Sequence, residues 1–369
     1  MATKKTGISR DLIIHPGETI ADILTERNIS QVELANRTGV SPAYVSSVIS
    51  GKKDISSNFA MALEYALGVP KTFWLNLQAN YDAELLELNE ANTITKEEEQ
   101  TYNSLHEVVK WLCSVSLIPC GQRKADAILS LRKFFQVSNI ANLGSLVPTG
   151  AFRVSQTAST DPVVMGAWLR LCQVIGNNGQ TVLPQFDNTQ TENLVADLKA
   201  VMLNSKADIQ KDLATTMARY GIKFNIVKNF RGAPVQGYIS RNQENEYQMA
   251  LTIRGAYADI FWFSVFHELG HIVNGDITKT TGFIDGLSPN GSATDKETAA
   301  DKFASNSLLE PTSYKAFVNA ADFSIRAIML YASTQHVMPY IVIGRLQREQ
   351  RIPYSWYSSY KTRYKWDSN

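Results

Sequence analysis

Residues 261–271 read Phe261-Trp262-Phe263-Ser264-Val265-Phe266-His267-Glu268-Leu269-Gly270-His271. The last five form an H-E-x-x-H motif. In a helix, side chains four apart share one face, so both imidazoles reach one metal ion. Glu268 then lies beside the open coordination position, where a general base is needed. The chain has 5 histidines, and two of them stand here. The apolar run before the motif marks the helix as buried, and a buried imidazole or carboxylate requires a partner. The competing reading, a solvated helix that happens to carry two histidines, fits that run poorly.

A metal site of this kind needs a third protein ligand. The downstream candidates are Asp276, Asp285, Asp295, Glu297, Asp301 and His336. Residues 292–309 have a helical pattern that sets Glu297, Ala300, Ala304 and Leu308 on one face, with Asp301 one turn from Glu297. A carboxylate on a face of alanines points to a second helix passing close by. Thr294-Asp295-Lys296-Glu297 also has capping-box spacing, so Glu297 as a cap of its own helix stays open.

Before the metal helix the period is two. Residues 222–227, 235–240 and 247–253 read as strands, and their short turns predict antiparallel pairing. The metal helix is predicted over Ala258–Asn274, with Gly275 ending it. With zinc bound, a water becomes acidic and a scissile carbonyl is polarised. Glu268 is expected to accept the water's proton and pass it to the leaving amine. A substrate segment is expected to add as a strand beside 247–253. Arg254, Tyr257 and His336 are the candidate oxyanion donors.

The other end of the chain carries a different signal. Residues 30–53 read as two short helices around Gly39. Ser30 caps the first, and Ser41 caps the second with Pro42 at its first position. Val45, Val48 and Ile49 follow at helical spacing before Gly51. This is a helix-turn-helix pattern whose second helix is placed to enter a major groove. Pro42, Ala43, Tyr44, Ser46 and Ser47 are expected to face outward, and Lys52 and Lys53 to meet phosphates. Gln31 is expected at a phosphate or base edge. Residues 1–85 hold eight Lys+Arg and nine Asp+Glu. Nonspecific affinity rests on phosphate neutralisation, so double-stranded operator DNA is expected to bind weakly to one copy and better to a homodimer. Use of the motif for protein contact alone is the alternative.

The 369 residues are long for one core, so two or three domains are expected. Formal charge is +1, which excludes a global polyanion-binding chain. The reading is of a chain with neither an apolar leader nor an 18-residue apolar span, hence no membrane partner. The 3 cysteines suit a reducing cytoplasm, the expected location. Thr95-Lys96-Glu97-Glu98 has capping-box spacing ahead of a helix carrying Leu105, Val108, Val109 and Leu112. Further helices are predicted over 123–135 and 191–219, a loop over 177–180, and Trp168 in a core. Residues 341–369 hold six Lys+Arg and two Asp+Glu among interleaved aromatics. That tail reads either as a nucleic-acid surface or as an amphipathic segment packed on its neighbour.

Two family resemblances rest on these residues. His15-Pro16-Gly17-Glu18, the helix-turn-helix, and Phe73-Trp74-Leu75-Asn76-Leu77-Gln78-Ala79-Asn80-Tyr81-Asp82 together resemble the HigA family of plasmid-maintenance antitoxins, over about residues 12–84. These are Xre-type DNA-binding proteins. The resemblance implies a lambda-repressor-like fold, repression of its own operon and, in many members, binding of a RelE-like toxin. Uncharged Pro42-Ala43-Tyr44 departs from the basic or amide residues frequent in such proteins. His267–His271, Glu297-Thr298-Ala299-Ala300-Asp301-Lys302-Phe303-Ala304 and Leu308-Leu309-Glu310-Pro311 resemble the ImmA/IrrE metallopeptidases. Phe261-Trp262-Phe263, Val342-Ile343-Gly344-Arg345-Leu346-Gln347 and Tyr364-Lys365-Trp366 resemble the subgroup fused to a HigA-like domain. This implies zinc on His267, His271 and Glu297, with Glu268 as base. It also implies cleavage of a regulatory protein, an Xre-type repressor or antitoxin.

The expected fold is mostly α with a small α+β zincin-like domain. The expected parts are the helix-turn-helix domain (1–84), a helical connector (85–215), the peptidase domain with a short antiparallel sheet (216–315) and a helical, basic-aromatic tail (316–369). The first functional expectation is a zinc endopeptidase coupled to DNA binding. The alternative is an antitoxin or repressor whose peptidase fold is a non-catalytic sensor or scaffold. A third is self-cleavage within 85–100.

Overall fold

The computed structural model describes residues 13–147, 160–177, 183–242, 245–277, 283–284 and 295–366. The chain divides into two compact units, Met1–Thr95 and Lys96–Asn369.

The first unit is all-helical: α1 (Pro16–Glu26), α2 (Gln31–Thr38), α3 (Pro42–Ile49), α4 (Ser57–Leu67) and α5 (Lys71–Asn89). Ser30 Oγ accepts the Glu33 N–H and Ser41 Oγ the Tyr44 N–H, as their cap positions require. Ile20, Leu34, Val45, Val48, Phe59, Leu63 and Trp74 close the core. The opening and closing signatures serve this packing. His15 Nδ1 accepts the Gly17 N–H at 2.9 Å, and Gly17 lies so near the Val48 carbonyl that any Cβ collides with it. Gln78 is buried and accepts the Ile55 N–H at 2.9 Å.

The second unit opens with α6 (Lys96–Ser104), α7 (His106–Ser114), α8 (Lys124–Phe135), α9 (Pro162–Asn177), α10 (Thr191–Leu203) and α11 (Ile209–Arg219). The expected single helix after residue 95 is thus broken at Leu105, and that expected over 191–219 is broken after Leu203. Asn178-Gly179-Gln180 of the predicted loop lie outside the described residues. Glu98 is fully buried and takes the Arg132 guanidinium at 2.6 Å. Leu194, Leu198, Leu213 and Met217 share one core with Phe224, Ile239 and Met249 of the sheet. Trp168 is fully buried and donates to the Lys228 carbonyl at 3.1 Å. An amphipathic helix must bury its apolar stripe, and the sheet supplies the surface. Accordingly the boundaries expected at 84, 215 and 315 fall inside α5, α11 and α14 (Pro311–Ala320).

The sheet has strands β1 (Ile222–Ile226), β2 (Gly237–Arg241), β3 (Tyr247–Leu251) and β4 (Phe283–Ile284) in the order β1-β3-β2-β4. β2 pairs antiparallel with β3 and β4, but β1 pairs parallel with β3, so the purely antiparallel expectation is corrected. The segment between β1 and β2 is long enough to skip one strand position. β3 then fills that position, antiparallel to β2 and therefore parallel to β1. β3 is also flanked on both sides, so it offers no free edge for a substrate strand; that expectation falls with it.

Helix α12 (Ala258–Val273) lies on this sheet, with Phe261, Trp262, Val265, Phe266 and Leu269 in the shared core. After it come α13 (Asp295–Leu308), α14, α15 (Ile325–Thr334) and α16 (Pro339–Arg348). Of the helical tail expected over 316–369, the part up to Arg348 is helical in α14, α15 and α16, and the part beyond is irregular apart from a short turn at Ser358–Tyr360. It packs on the start of α12: the Ala258 N–H donates to the Thr362 carbonyl at 2.9 Å and the Tyr364 N–H to the Ala256 carbonyl at 2.7 Å. Trp262 Nε1 donates to the Tyr364 hydroxyl at 2.9 Å. No helix among the described residues is long and apolar enough to cross a membrane.

Candidate functional site

His267 and His271 are buried on the face of α12 that meets α13. Gly270 makes that meeting close: a Cβ there would lie 3.0 Å from Ala300 Cα and 3.3 Å from Phe303 Cβ. The small residues read as one face of α13 are thus the contact that brings Glu297 to the histidines. The two Nε2 atoms are 3.2 Å apart, and the Glu297 carboxylate reaches them at 3.2 and 3.8 Å. One ligand atom from each residue falls within 4.8 Å of the others. Hydrogen bonds first from His267, then from His271, hold the Glu297 carboxyl at about 2 against the opposing effect of burial. It is therefore ionised at all but strongly acid pH. Thr294, its proposed capping partner, lies outside the described residues.

Each imidazole is held from behind. His267 Nδ1 donates to Asp301 Oδ1 at 2.9 Å and His271 Nδ1 to Asp276 Oδ2 at 3.0 Å. Gly275, in the left-handed region with φ +72, turns the chain after α12 so that Asp276 reaches back. A carboxylate on Nδ1 keeps a proton there, so that Nε2, the atom turned to Glu297, is the one that would give up its proton to bind a metal. Each carboxylate in turn has a cation: Arg348 Nη2 is 3.1 Å from Asp301, and Lys296 Nζ is 3.7 Å from Asp276. Burial raises the Asp301 carboxyl, but its bonds to His267 and Arg348 outweigh this and lower it. Of the six candidate ligands, Glu297 joins the cluster and Asp276 and Asp301 orient it. Asp295 and His336 are exposed and outside it, and Asp285 is outside the described residues. Two imidazole nitrogens and a carboxylate form a donor set that zinc accepts.

Glu268 is fully buried and turns to the sheet, not to α13. Its carboxylate lies against Gly237 at the start of β2, so closely that a Cβ on Gly237 would overlap Oε1. Glu268 and the two histidines therefore sit on adjacent faces of α12, as residues one apart in a helix must.

A cavity of about 730 Å³ opens along α12, with α13 and α16 as its walls. Its lining runs from Asp259 and Phe263 to His267 and Glu297, and includes Arg345, Arg348 and Lys361. The three expected oxyanion donors are not part of this lining. Arg254 donates to the Pro234 carbonyl at 2.6 Å, Tyr257 is covered by Lys361 and Arg363, and His336 is exposed. Arg348, 77 residues after His271, had no local signal in the sequence.

In the first unit, Gln31, Ser41, Pro42, Ala43, Ser46, Lys52 and Lys53 are exposed along α2, α3 and the turn after it. Tyr44 and Ser47 are not fully outward, as expected, but half-buried. Tyr44 packs edge-on against Phe59 at 5.1 Å with Lys53 Nζ 5.2 Å from its ring, and the Ser47 hydroxyl donates to the Ala43 carbonyl at 2.7 Å.

Residues 20–74 match the helix-turn-helix family HTH_3. Over 63 residues the chain is 33% identical to YddM, an uncharacterized HTH-type transcriptional regulator of Escherichia coli K12, spanning 17% of this chain and 67% of YddM. Two solved structures are also similar. An addiction module antidote protein of a HigA family from Coxiella burnetii is 30% identical, with 22% of this chain and 95% of that one covered and a TM-score of 0.21. Pseudomonas aeruginosa antitoxin HigA, solved with the higBA promoter, is 31% identical, with 22% and 96% covered and a TM-score of 0.21. Through its N-terminal unit the chain belongs to the helix-turn-helix transcriptional regulators, and that unit is a DNA-binding one.

Proposed function

We propose that the chain is a zinc-dependent peptidase joined to an operator-binding unit, and that it regulates transcription by cutting a regulatory protein. One observation carries this: His267, His271 and Glu297 converge on a single point, each histidine backed by a carboxylate, with buried Glu268 alongside. His267, His271 and Glu297 are the residues to hold the metal. When bound, zinc supplies a Lewis acid that acidifies water and polarises a peptide carbonyl. Glu268 would take a proton from the attacking water and pass it to the leaving amine nitrogen. Asp301 and Asp276 keep both imidazoles in the tautomer and orientation that the metal needs. The cavity along α12 receives the substrate segment and excludes bulk water around the scissile bond.

A second reading is favoured by the first unit. Its relatives are named as an antidote protein and as an antitoxin solved with a promoter. On that reading this chain represses its own operon and binds a RelE-like toxin, and the second unit senses or scaffolds. Self-cleavage within 85–100 has less support, because that stretch is helical except at Ile94–Thr95 and peptidases act on extended chain. The test is metal removal. Treatment with a chelator is expected to abolish hydrolysis of a neighbouring-operon Xre repressor, and zinc to restore it. Operator binding is expected to survive both treatments. Hydrolysis that persists without metal removes the zinc mechanism, and a chain that never hydrolyses the repressor with zinc bound favours the second reading.

A further inference from the structure

The cations of the cavity differ in how fully the protein uses them. Arg345 lies over the Tyr314 ring at 3.7 Å, bonds Glu349 at 3.0 Å and donates to the Ser305 carbonyl at 3.1 Å. Lys361 bonds Asp259 at 2.7 Å and Gln347 at 3.1 Å, with its side chain only 11% exposed. Arg348 is different. Its guanidinium makes one hydrogen bond among the described residues, from Nη2 to Asp301. Its side chain is 61% exposed and lines the cavity beside His267. The guanidinium carbon lies over the Phe263 ring, 4.8 Å from its centroid, a contact that occupies none of the N–H donors. A guanidinium has five N–H donors in a planar fork suited to a carboxylate. Here that fork is held in place by Asp301 and Phe263 and faces an empty volume next to the candidate ligands.

We propose that Arg348 is a specificity residue that binds a carboxylate of the peptide lying in the cavity. This rests on the cavity being the substrate site of the peptidase described above. The ligand carboxylate is either an acidic side chain or the free C-terminus of the peptide; the chemistry at Arg348 is the same. Because Arg348 also touches Asp301, which holds His267, binding there places the acidic group at a set distance from the metal ligands.

The experiment uses the full zinc-loaded chain carrying Glu268→Gln, so that peptides bind without being cut. Fluorescent decapeptide pools are compared in two arms. One arm fixes Glu or Gln at a single position in amidated peptides; the other compares free with amidated C-termini in pools lacking acidic residues. We expect the carboxylate-bearing pool of one arm to bind about 10- to 100-fold more tightly than its neutral match. With zinc supplied at saturation, adding Arg348→Gln is expected to erase that preference while binding of neutral pools stays unchanged. Arg348→Lys should keep part of it, as a point charge without the fork does. The arm that shows the effect identifies the source of the carboxylate. Absence of a preference in both arms overturns the proposal. So does a preference that survives Arg348→Gln, or equal weakening of every pool, which is the mark of a purely structural role. Selective binding by a chain that never hydrolyses peptide when Glu268 is present leaves the recognition intact and removes the peptidase reading.

Discussion

Glu268→Gln is expected to take up zinc as the unaltered chain does and to hydrolyse peptide bonds about 10²- to 10⁴-fold more slowly. The substitution keeps volume and planarity, so the buried site against Gly237 is not reshaped. An amide has no basic oxygen able to take a proton from water and return it to an amine. The ligands on the adjacent face of α12 are untouched, which is why metal content and rate should separate. The measurement is initial rate on a protein substrate alongside zinc per chain. An unchanged rate removes Glu268 as the base.

The second large effect is expected from Gly270→Val. The crossing of α12 and α13 leaves a Cβ at Gly270 only 3.0 Å from Ala300 Cα and 3.2 Å from its carbonyl oxygen. Backbone atoms of α13 cannot swing aside as a flexible side chain does, so the helix itself must move. Overpacking of this kind typically costs about 1–3 kcal/mol. For a unit of this size that lowers the melting temperature of the second unit by roughly 2–12 °C. Moving α13 also carries Glu297 away from the histidines, so zinc affinity should fall in the same variant. The first unit's own unfolding transition is expected to stay where it was. A variant with unaltered melting and unaltered zinc affinity would mean that the crossing does not set the position of Glu297.

What the sequence disclosed about the site follows from locality. His267, Glu268 and His271 lie on one helix, and helical spacing alone predicts which share a face. Glu297 and Asp301 were legible as one turn of a second helix, but nothing local tells a ligand from the residue that orients one. That distinction came from the crossing at Gly270 and Ala300, which admits Glu297 to the Nε2 side and Asp301 to the Nδ1 side. Asp276 shows the same limit: only the turn at Gly275 reveals that it faces His271.

The fold divides in the same way. The caps at Ser30 and Ser41 are three-residue signals, and they placed α2 and α3 closely. Sheet order is not local. The two strands β1 and β2 are sequential yet not paired, because β3 comes between them, and no turn residue encodes that choice. The tail was open between two readings because charge and aromatics suit both. Its backbone bonds to Ala256 and Ala258 show that it packs at the start of α12.

The central claim is that His267, His271 and Glu297 together hold one metal ion. Zinc per chain, measured by elemental analysis after equilibration at limiting free zinc, tests it most directly when the unaltered chain is compared with Glu297→Ala. The account predicts one zinc per chain in the former and, with affinity lowered more than about 100-fold, almost none in the latter. Equal zinc in the two proteins would contradict it.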